Sequence, residues 1–130
     1  MTETQLLKKA KQAQKMACPK HTGFSVGAAI LAASGKVYSG ANVESDIPSA
    51  SLCADRAALV TALNAGERKF KAIAIVTETV RALPCGACRQ MLYEFCGGNL
   101  KVISANPVGK KETFLLKKLL PHPYKMVPAK

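Results

Sequence analysis

Three cysteines and one aspartate stand where they can do chemistry together. Cys53 opens the stretch Cys53-Ala54-Asp55-Arg56, and Cys85 and Cys88 lie in Pro84-Cys85-Gly86-Ala87-Cys88-Arg89-Gln90. Three thiolates can hold a zinc ion and leave its fourth coordination position open. A water taken there becomes a nucleophile at neutral pH. The carboxylate of Asp55, two residues after Cys53, is placed to move protons. A lone Cys-x-x-Cys pair can equally be redox-active or incidental, and small buried thiols are common; the third cysteine shifts the reading toward metal. Three thiolates on one dication leave a net negative charge, which Arg56 and Arg89 can offset from beside the ligands. Cys18 and Cys96 have no partner pattern and read as thiols outside the site. His21 and His122, beside prolines or in loops, read as surface or packing residues.

These residues need elements to position them. Residues 52–65 are rich in alanine and leucine and predict a helix closed by Gly66, with Cys53 and Asp55 in its first turn. Residues 85–95 predict a second helix, stopped by Gly97-Gly98, so both cysteine groups sit near helix N-termini, whose partial positive charge favours thiolate. An amphipathic helix is expected over 2–17, with Thr2 and Gln5 at capping-box spacing, Leu6, Ala10, Ala13 and Ala17 at helical period, and Pro19 beyond its end. Residues 24–32 and 37–43 predict a hairpin around Ala33-Ser34-Gly35-Lys36. Residues 44–51 form a polar loop, 71–77 a buried strand, 78–84 a loop, 100–104 a short strand, and 112–120 a last helix before Pro121. Helices that join the later strands imply parallel pairs with right-handed crossovers, and the hairpin adds an antiparallel pair. The order predicts a mixed sheet covered on both faces, within a single domain spanning 1–130.

The whole chain bounds the function. Its 130 residues suit one domain, and 48% apolar content is that of a folded soluble protein. No apolar run approaches the roughly 20 residues that span a bilayer, and the polar, lysine-rich start has no signal-peptide core, so a cytoplasmic protein is expected. Five cysteines cannot all pair, and their clustering fits metal better than a disulfide frame. The net charge is +11, carried largely by Lys8, Lys9, Lys11, Lys15 and Lys20 at one end and Lys110, Lys111, Lys117, Lys118, Lys125 and Lys130 at the other. Such a surface can meet nucleic acid, but there is no Trp and few aromatics to stack on bases, so a solvated surface is the favoured reading.

The paired motifs Cys-Ala-Asp-Arg-Ala-Ala and Pro-Cys-Gly-Ala-Cys-Arg-Gln resemble those of the small homotetrameric cytidine deaminases. Phe24-Ser25-Val26-Gly27-Ala28-Ala29, Gly40-Ala41-Asn42-Val43-Glu44 and Leu119-Leu120-Pro121 match the same family, so the resemblance covers nearly the whole chain. It implies a three-layer α/β/α sandwich with a central mixed five-stranded sheet. It implies one zinc ion per subunit on Cys53, Cys85 and Cys88. It implies that Asn42 and Glu44 hydrogen-bond the ribose hydroxyl, Phe24 packs on the pyrimidine, the Ala54 backbone meets the base carbonyl region, and the Pro84 carbonyl accepts from the leaving amine. Tyr124 lies near an aromatic that, in the family, reaches a neighbouring subunit's site. The implied activity is hydrolytic deamination of cytidine or deoxycytidine by a homotetramer with sites at its subunit interfaces.

The chain departs from the family at three places. Asp55 stands where the family has glutamate, shorter by one carbon–carbon bond, roughly 1.5 Å. This implies altered geometry, weakened turnover, an introduced substitution, or a substrate seated deeper. The family's tyrosine after Asn-x-Glu is replaced around Ile47-Pro48, and Pro19-Lys20-His21-Thr22-Gly23 before Phe24 lacks another tyrosine and is longer by a residue. Both touch the pocket wall. Two alternatives therefore remain: a deaminase of another amino-substituted nucleoside or a blasticidin-like antibiotic, and a non-catalytic zinc protein that binds nucleosides or RNA.

Overall fold

A computed structural model of the chain describes residues 1–79 and 82–128. Val80 and Arg81 of the expected loop 78–84, and Lys130 of the C-terminal lysines, lie outside the described residues.

The first helix, α1 (Glu3–Gln14), begins with the expected reciprocal cap: Gln5 N–H donates to Thr2 Oγ1 at 3.1 Å and Thr2 N–H to Gln5 Oε1 at 2.8 Å. It buries Leu6, Ala10 and Ala13. It ends before Ala17 because the chain is drawn away: Cys18 bridges to Val43, with Cys18 N–H donating to the Asn42 carbonyl at 2.8 Å.

Strands β1 (Gly27–Ala32) and β2 (Val37–Ala41) form the expected hairpin, with Gly27 opposite Ala41 and Leu31 opposite Val37. Strand β1 starts at Gly27 and not at Phe24. The backbone of 24–26 is held by a side chain instead: Val26 N–H donates to Asn42 Oδ1, and Asn42 Nδ2 donates to the Phe24 carbonyl, each at 2.8 Å. Helix α2 (Ala54–Asn64) crosses to β3 (Phe70–Val76), and α3 (Gly86–Cys96) crosses from β3 to β4 (Lys101–Ala105). The sheet order is β2-β1-β3-β4-β5, where β5 spans Lys111–Leu115. Among the described strands, β3 and β4 are the parallel neighbours; β1 is antiparallel to both β2 and β3, and β4 to β5.

The expected last helix over 112–120 is corrected. Residues 111–115 extend against β4, with Phe114 opposite Val102, and only α4 (Leu116–Leu119) is helical. Thr113 and Phe114 suit a strand, and an available β4 edge overrides the helical look of the leucines and lysines.

The layers are as expected. On one face α1 packs Leu6 and Ala10 against Ala29, Ala74 and Ile103. On the other, Ala58, Leu59 and Leu92 of α2 and α3 meet Ala28, Ile30, Ile73 and Val102. At two points helices lie directly on strands. A Cβ on Gly40 would come 2.5 Å from Ala58 N and 2.8 Å from the Ala57 Cβ, and one on Gly27 would strike the Ala10 carbonyl oxygen. No described helix is long and apolar enough to cross a membrane.

Candidate active site

The starts of α2 and α3 meet on the same face of the sheet. Cys53 is the N-cap of α2 and Cys85 the N-cap of α3, each one residue before the helix proper, and Cys88 is the third residue of α3. Neither cap makes a side-chain capping bond, so both sulfurs are turned elsewhere. They converge: Cys53 Sγ lies 3.9 Å from Cys85 Sγ, and Cys85 Sγ lies 3.4 Å from Cys88 Sγ. All three sulfurs lie within 4.8 Å of one another. Tetrahedral zinc with Zn–S near 2.3 Å sets S–S edges of about 3.8 Å, so this triangle fits the ion.

The electrostatics are those of thiols pressed together. Hydrogen bonding with Cys88 pulls the Cys53 thiol down to about 6 against the opposing effect of burial, and Cys85 and Arg56 add to the pull. The same bond to Cys53, together with burial, pushes Cys88 up. Burial opposes the charge of Arg56, but the neighbouring sulfurs of Cys88, Cys53 and Cys85 outweigh it and hold the guanidinium charged. Arg56 also donates from Nη2 to the Ser51 carbonyl at 3.2 Å. Arg89 hydrogen-bonds to two backbone carbonyls. Its Nε donates to the Pro84 carbonyl at 2.6 Å and its Nη1 to the Leu119 carbonyl at 2.7 Å, so it braces the ligand loop against α4.

Asp55 occupies the second position of α2 and is only 4% exposed. Among the described residues, its Oδ2 has no hydrogen-bond partner. Burial raises its pKa, while Cys88, backbone N–H groups and Arg56 pull it back. An unpartnered buried carboxylate oxygen is costly in a structural role and useful in a reactive one.

A cavity of about 390 Å³ opens on these groups, lined by Phe24, Asn42, Ala54, Asp55, Pro84 and the cysteines 53 and 85, among others. Asn42 contributes as a builder, since its amide holds the Phe24–Val26 backbone on the cavity wall. The Pro84 carbonyl already accepts from Arg89 and keeps one lone pair free. Glu44 is not among the described lining residues. Its carboxylate accepts from His21 N–H at 2.9 Å, Thr22 N–H at 2.8 Å and the Thr22 hydroxyl at 2.6 Å, which hold it below the usual carboxylate range. Tyr124 is 71% exposed and is not among the described lining residues.

Some residues shape the site in ways the sequence did not reveal, Gln90 of the second motif among them. Gln90 fixes the C-terminal segment by exchanging bonds with the Tyr124 backbone, Nε2 to the carbonyl at 2.8 Å and Tyr124 N–H to Oε1 at 3.0 Å. Ser104 is fully buried and donates to the Ala82 carbonyl, holding the loop before Cys85 to β4. Thr22 was legible only as part of a lengthened loop.

Residues 1–104 match the cytidine and deoxycytidylate deaminase zinc-binding region. The chain belongs to this family. It is 41% identical to a cytidine deaminase of Sporosarcina psychrophila over 93% of this chain and 90% of the relative. It is 40% identical to a cytidine deaminase of Halalkalibacterium halodurans over 93% of this chain and 92% of the relative. A crystal structure of cytidine deaminase from Burkholderia pseudomallei superposes with a TM-score of 0.92 at 40% identity, covering 95% of this chain and all of that one. The membership and the sulfur triangle together identify the group that the three cysteines suit as one zinc ion per chain.

Proposed function

We propose that the protein is a zinc-dependent cytidine deaminase that hydrolyses cytidine or deoxycytidine to the uridine and ammonia. The observation that carries this reading is the buried Oδ2 of Asp55, without a partner among the described residues, beside three converging sulfurs where a cavity opens on them. Cys53, Cys85 and Cys88 would hold the zinc, which when bound polarises a water at its fourth position and so supplies the nucleophile.

The chain's own residues do the rest. Asp55 accepts the proton that the attacking water gives up and hands it to the ring nitrogen beside the amino-bearing carbon; it then takes the proton of the newly formed hydroxyl and gives it to the amine, so that the carbonyl forms as ammonia departs. A carbon–oxygen bond forms, the carbon–nitrogen bond breaks, and ammonia leaves. Burial that favours the protonated acid suits a carboxylate that must carry a proton near neutral pH. The free lone pair of the Pro84 carbonyl accepts from the amine, and the Ala54 backbone at the head of α2 meets the base carbonyl. Phe24 packs on the pyrimidine. Asn42 keeps Phe24 and Val26 in place, and Glu44 orders the loop at the ribose end through Thr22.

The same reading makes residues 1–130 one domain that works as a homotetramer, with Tyr124 offered to a neighbour's site. The exposed apolar side chains Leu52, Val60 and Phe95, at or on the α2 and α3 layer, support such contacts. Thiolate ligands are kept reduced in a cytoplasmic setting.

The deciding experiment follows ultraviolet absorbance loss and ammonia release with zinc-loaded protein on cytidine, deoxycytidine and blasticidin S. Turnover of the first two is expected, and Asp55→Ala should abolish it while zinc stays bound. Turnover of blasticidin S alone would replace the substrate, and bound zinc with no ammonia from any of the three would mark a non-catalytic binder.

A further inference from the structure

A second and larger cavity, about 800 Å³, lies on the opposite face of the sheet. The two are back to back through β3: Ile75 lines the catalytic cavity and Val76, its neighbour on the strand, lines this one. Successive strand residues point to opposite faces, so the cavities share a wall and not an opening. The second cavity sits beside the carboxyl ends of β3 and β4, the parallel pair, where open α/β sheets commonly take ligands.

Its chemistry is divided. The floor is apolar, made by Leu7, Val76, Ala105 and Pro107. One wall is a row of Lys8 and Lys11 of α1 and Lys15, its C-cap, spaced along one side over about 10 Å. Among the described residues, none of these three lysines meets a carboxylate. Lys111 stands across the cavity, 3.1 Å from Glu3, and Glu78 is the one acidic residue among the described lining. Lysines spread on a convex surface are ordinarily just solvated. Here they edge a concave apolar floor of about 800 Å³, a size that suits a compact organic ligand.

We propose that this cavity is a second ligand site, for a phosphorylated molecule of nucleotide size, whose flat apolar body lies on the floor and whose phosphates meet the lysine row. A row of three ammonium groups matches a chain of two or three phosphates better than a single one, and a flat heterocycle gives the floor something to cover. The site needs no metal and no part of the catalytic machinery.

The test is isothermal titration calorimetry on the full-length, zinc-loaded protein with three probes: adenosine triphosphate, inorganic tripolyphosphate and a 12-nucleotide single strand. One molecule of adenosine triphosphate should bind per chain, at least ten-fold more tightly than tripolyphosphate. The double variant Lys8→Gln, Lys11→Gln should weaken that binding at least ten-fold with cytidine turnover unchanged, and Lys69→Gln, away from the cavity, should change it less than two-fold. Both replaced lysines are exposed, and a thermal melt of the double variant confirms that it is folded. Absence of nucleotide binding, equal binding of tripolyphosphate, indifference to the double substitution, or binding of the oligonucleotide alone would each overturn the proposal.

Discussion

Asp55 is the residue on which rate depends most directly. It lies buried at the head of α2, and its side chain is one methylene shorter than a glutamate there would be. The adjoining cavity leaves space for the extra carbon. Asp55→Glu carries the carboxylate roughly 1.5 Å further toward a substrate. Since about 1 Å of misplacement can cost on the order of 10²-fold, this substitution is expected to raise kcat by up to that factor. Steady-state kinetics beside wild type decides it; a fall in kcat would mean that substrate has moved to meet the aspartate. Among the ligands, Cys85→Ser exchanges a thiolate for a hydroxyl that does not ionise at neutral pH, and metal analysis should find well under one zinc per chain. The cysteines were legible in the sequence because Cys85 and Cys88 lie within one helical turn and Cys53 opens a second recognisable helix. The partner of Glu44 was not: Thr22 reaches it across a turn whose path no local pattern reveals.

Element packing sets the distance between the two cysteine groups. Helix α2 rests on β2 with only the hydrogen of Gly40 between them. Gly40→Ala drives a Cβ into backbone at 2.5 Å, and overpacking of this kind costs about 1–3 kcal/mol. A melting temperature lower by several degrees is expected, together with weaker zinc retention, because α2 carries Cys53. The far end of α2 is fastened differently. Just past it, the Glu67 carboxylate accepts from Ser34 Oγ at 2.7 Å and Tyr38 OH at 2.8 Å, which hold its pKa below the usual glutamate value. A lowered folded pKa means that the stabilisation is complete above the unfolded value, near 4.3, and fades as pH falls through the folded one. Glu67→Gln should therefore melt below wild type at pH 7, with the gap closing at more acidic pH. The hairpin, α2 and α3 could be read from their period and their glycine stops. Strand β5 could not, because Glu112–Leu115 is compatible with helix until the open edge of β4 is known. The early start given to β1 failed for a related reason: the Asn42 amide, eighteen residues from Phe24, takes the bonds that a strand would have made.

At the scale of the molecule, the layers and their covering could be inferred from element order, whereas the gathering of lysines beside an apolar cleft could not. Lys8, Lys11 and Lys15 read as the polar stripe of an amphipathic helix, and only the fold shows what lies beside that stripe. Cys53 heads α2 while Cys85 and Cys88 head α3, so a zinc ion held by all three would tie the two helices together, and its removal should act globally. Chelation is expected to lower the melting temperature of wild type, followed by differential scanning calorimetry, and to leave Cys85→Ser nearly unmoved. The tail has a different standing. Around Tyr124 it is held to α3 through Gln90, a side chain, and no sheet ladder includes it. A protease could clip between Pro121 and Gln90's grip without opening the core, leaving a metal-loaded body that has lost only its outreach. In the proposed assembly, each trimmed chain would silence the neighbour's site that its tail completes and keep its own pocket walls, so activity would fall in step with the fraction cut while zinc content stayed whole.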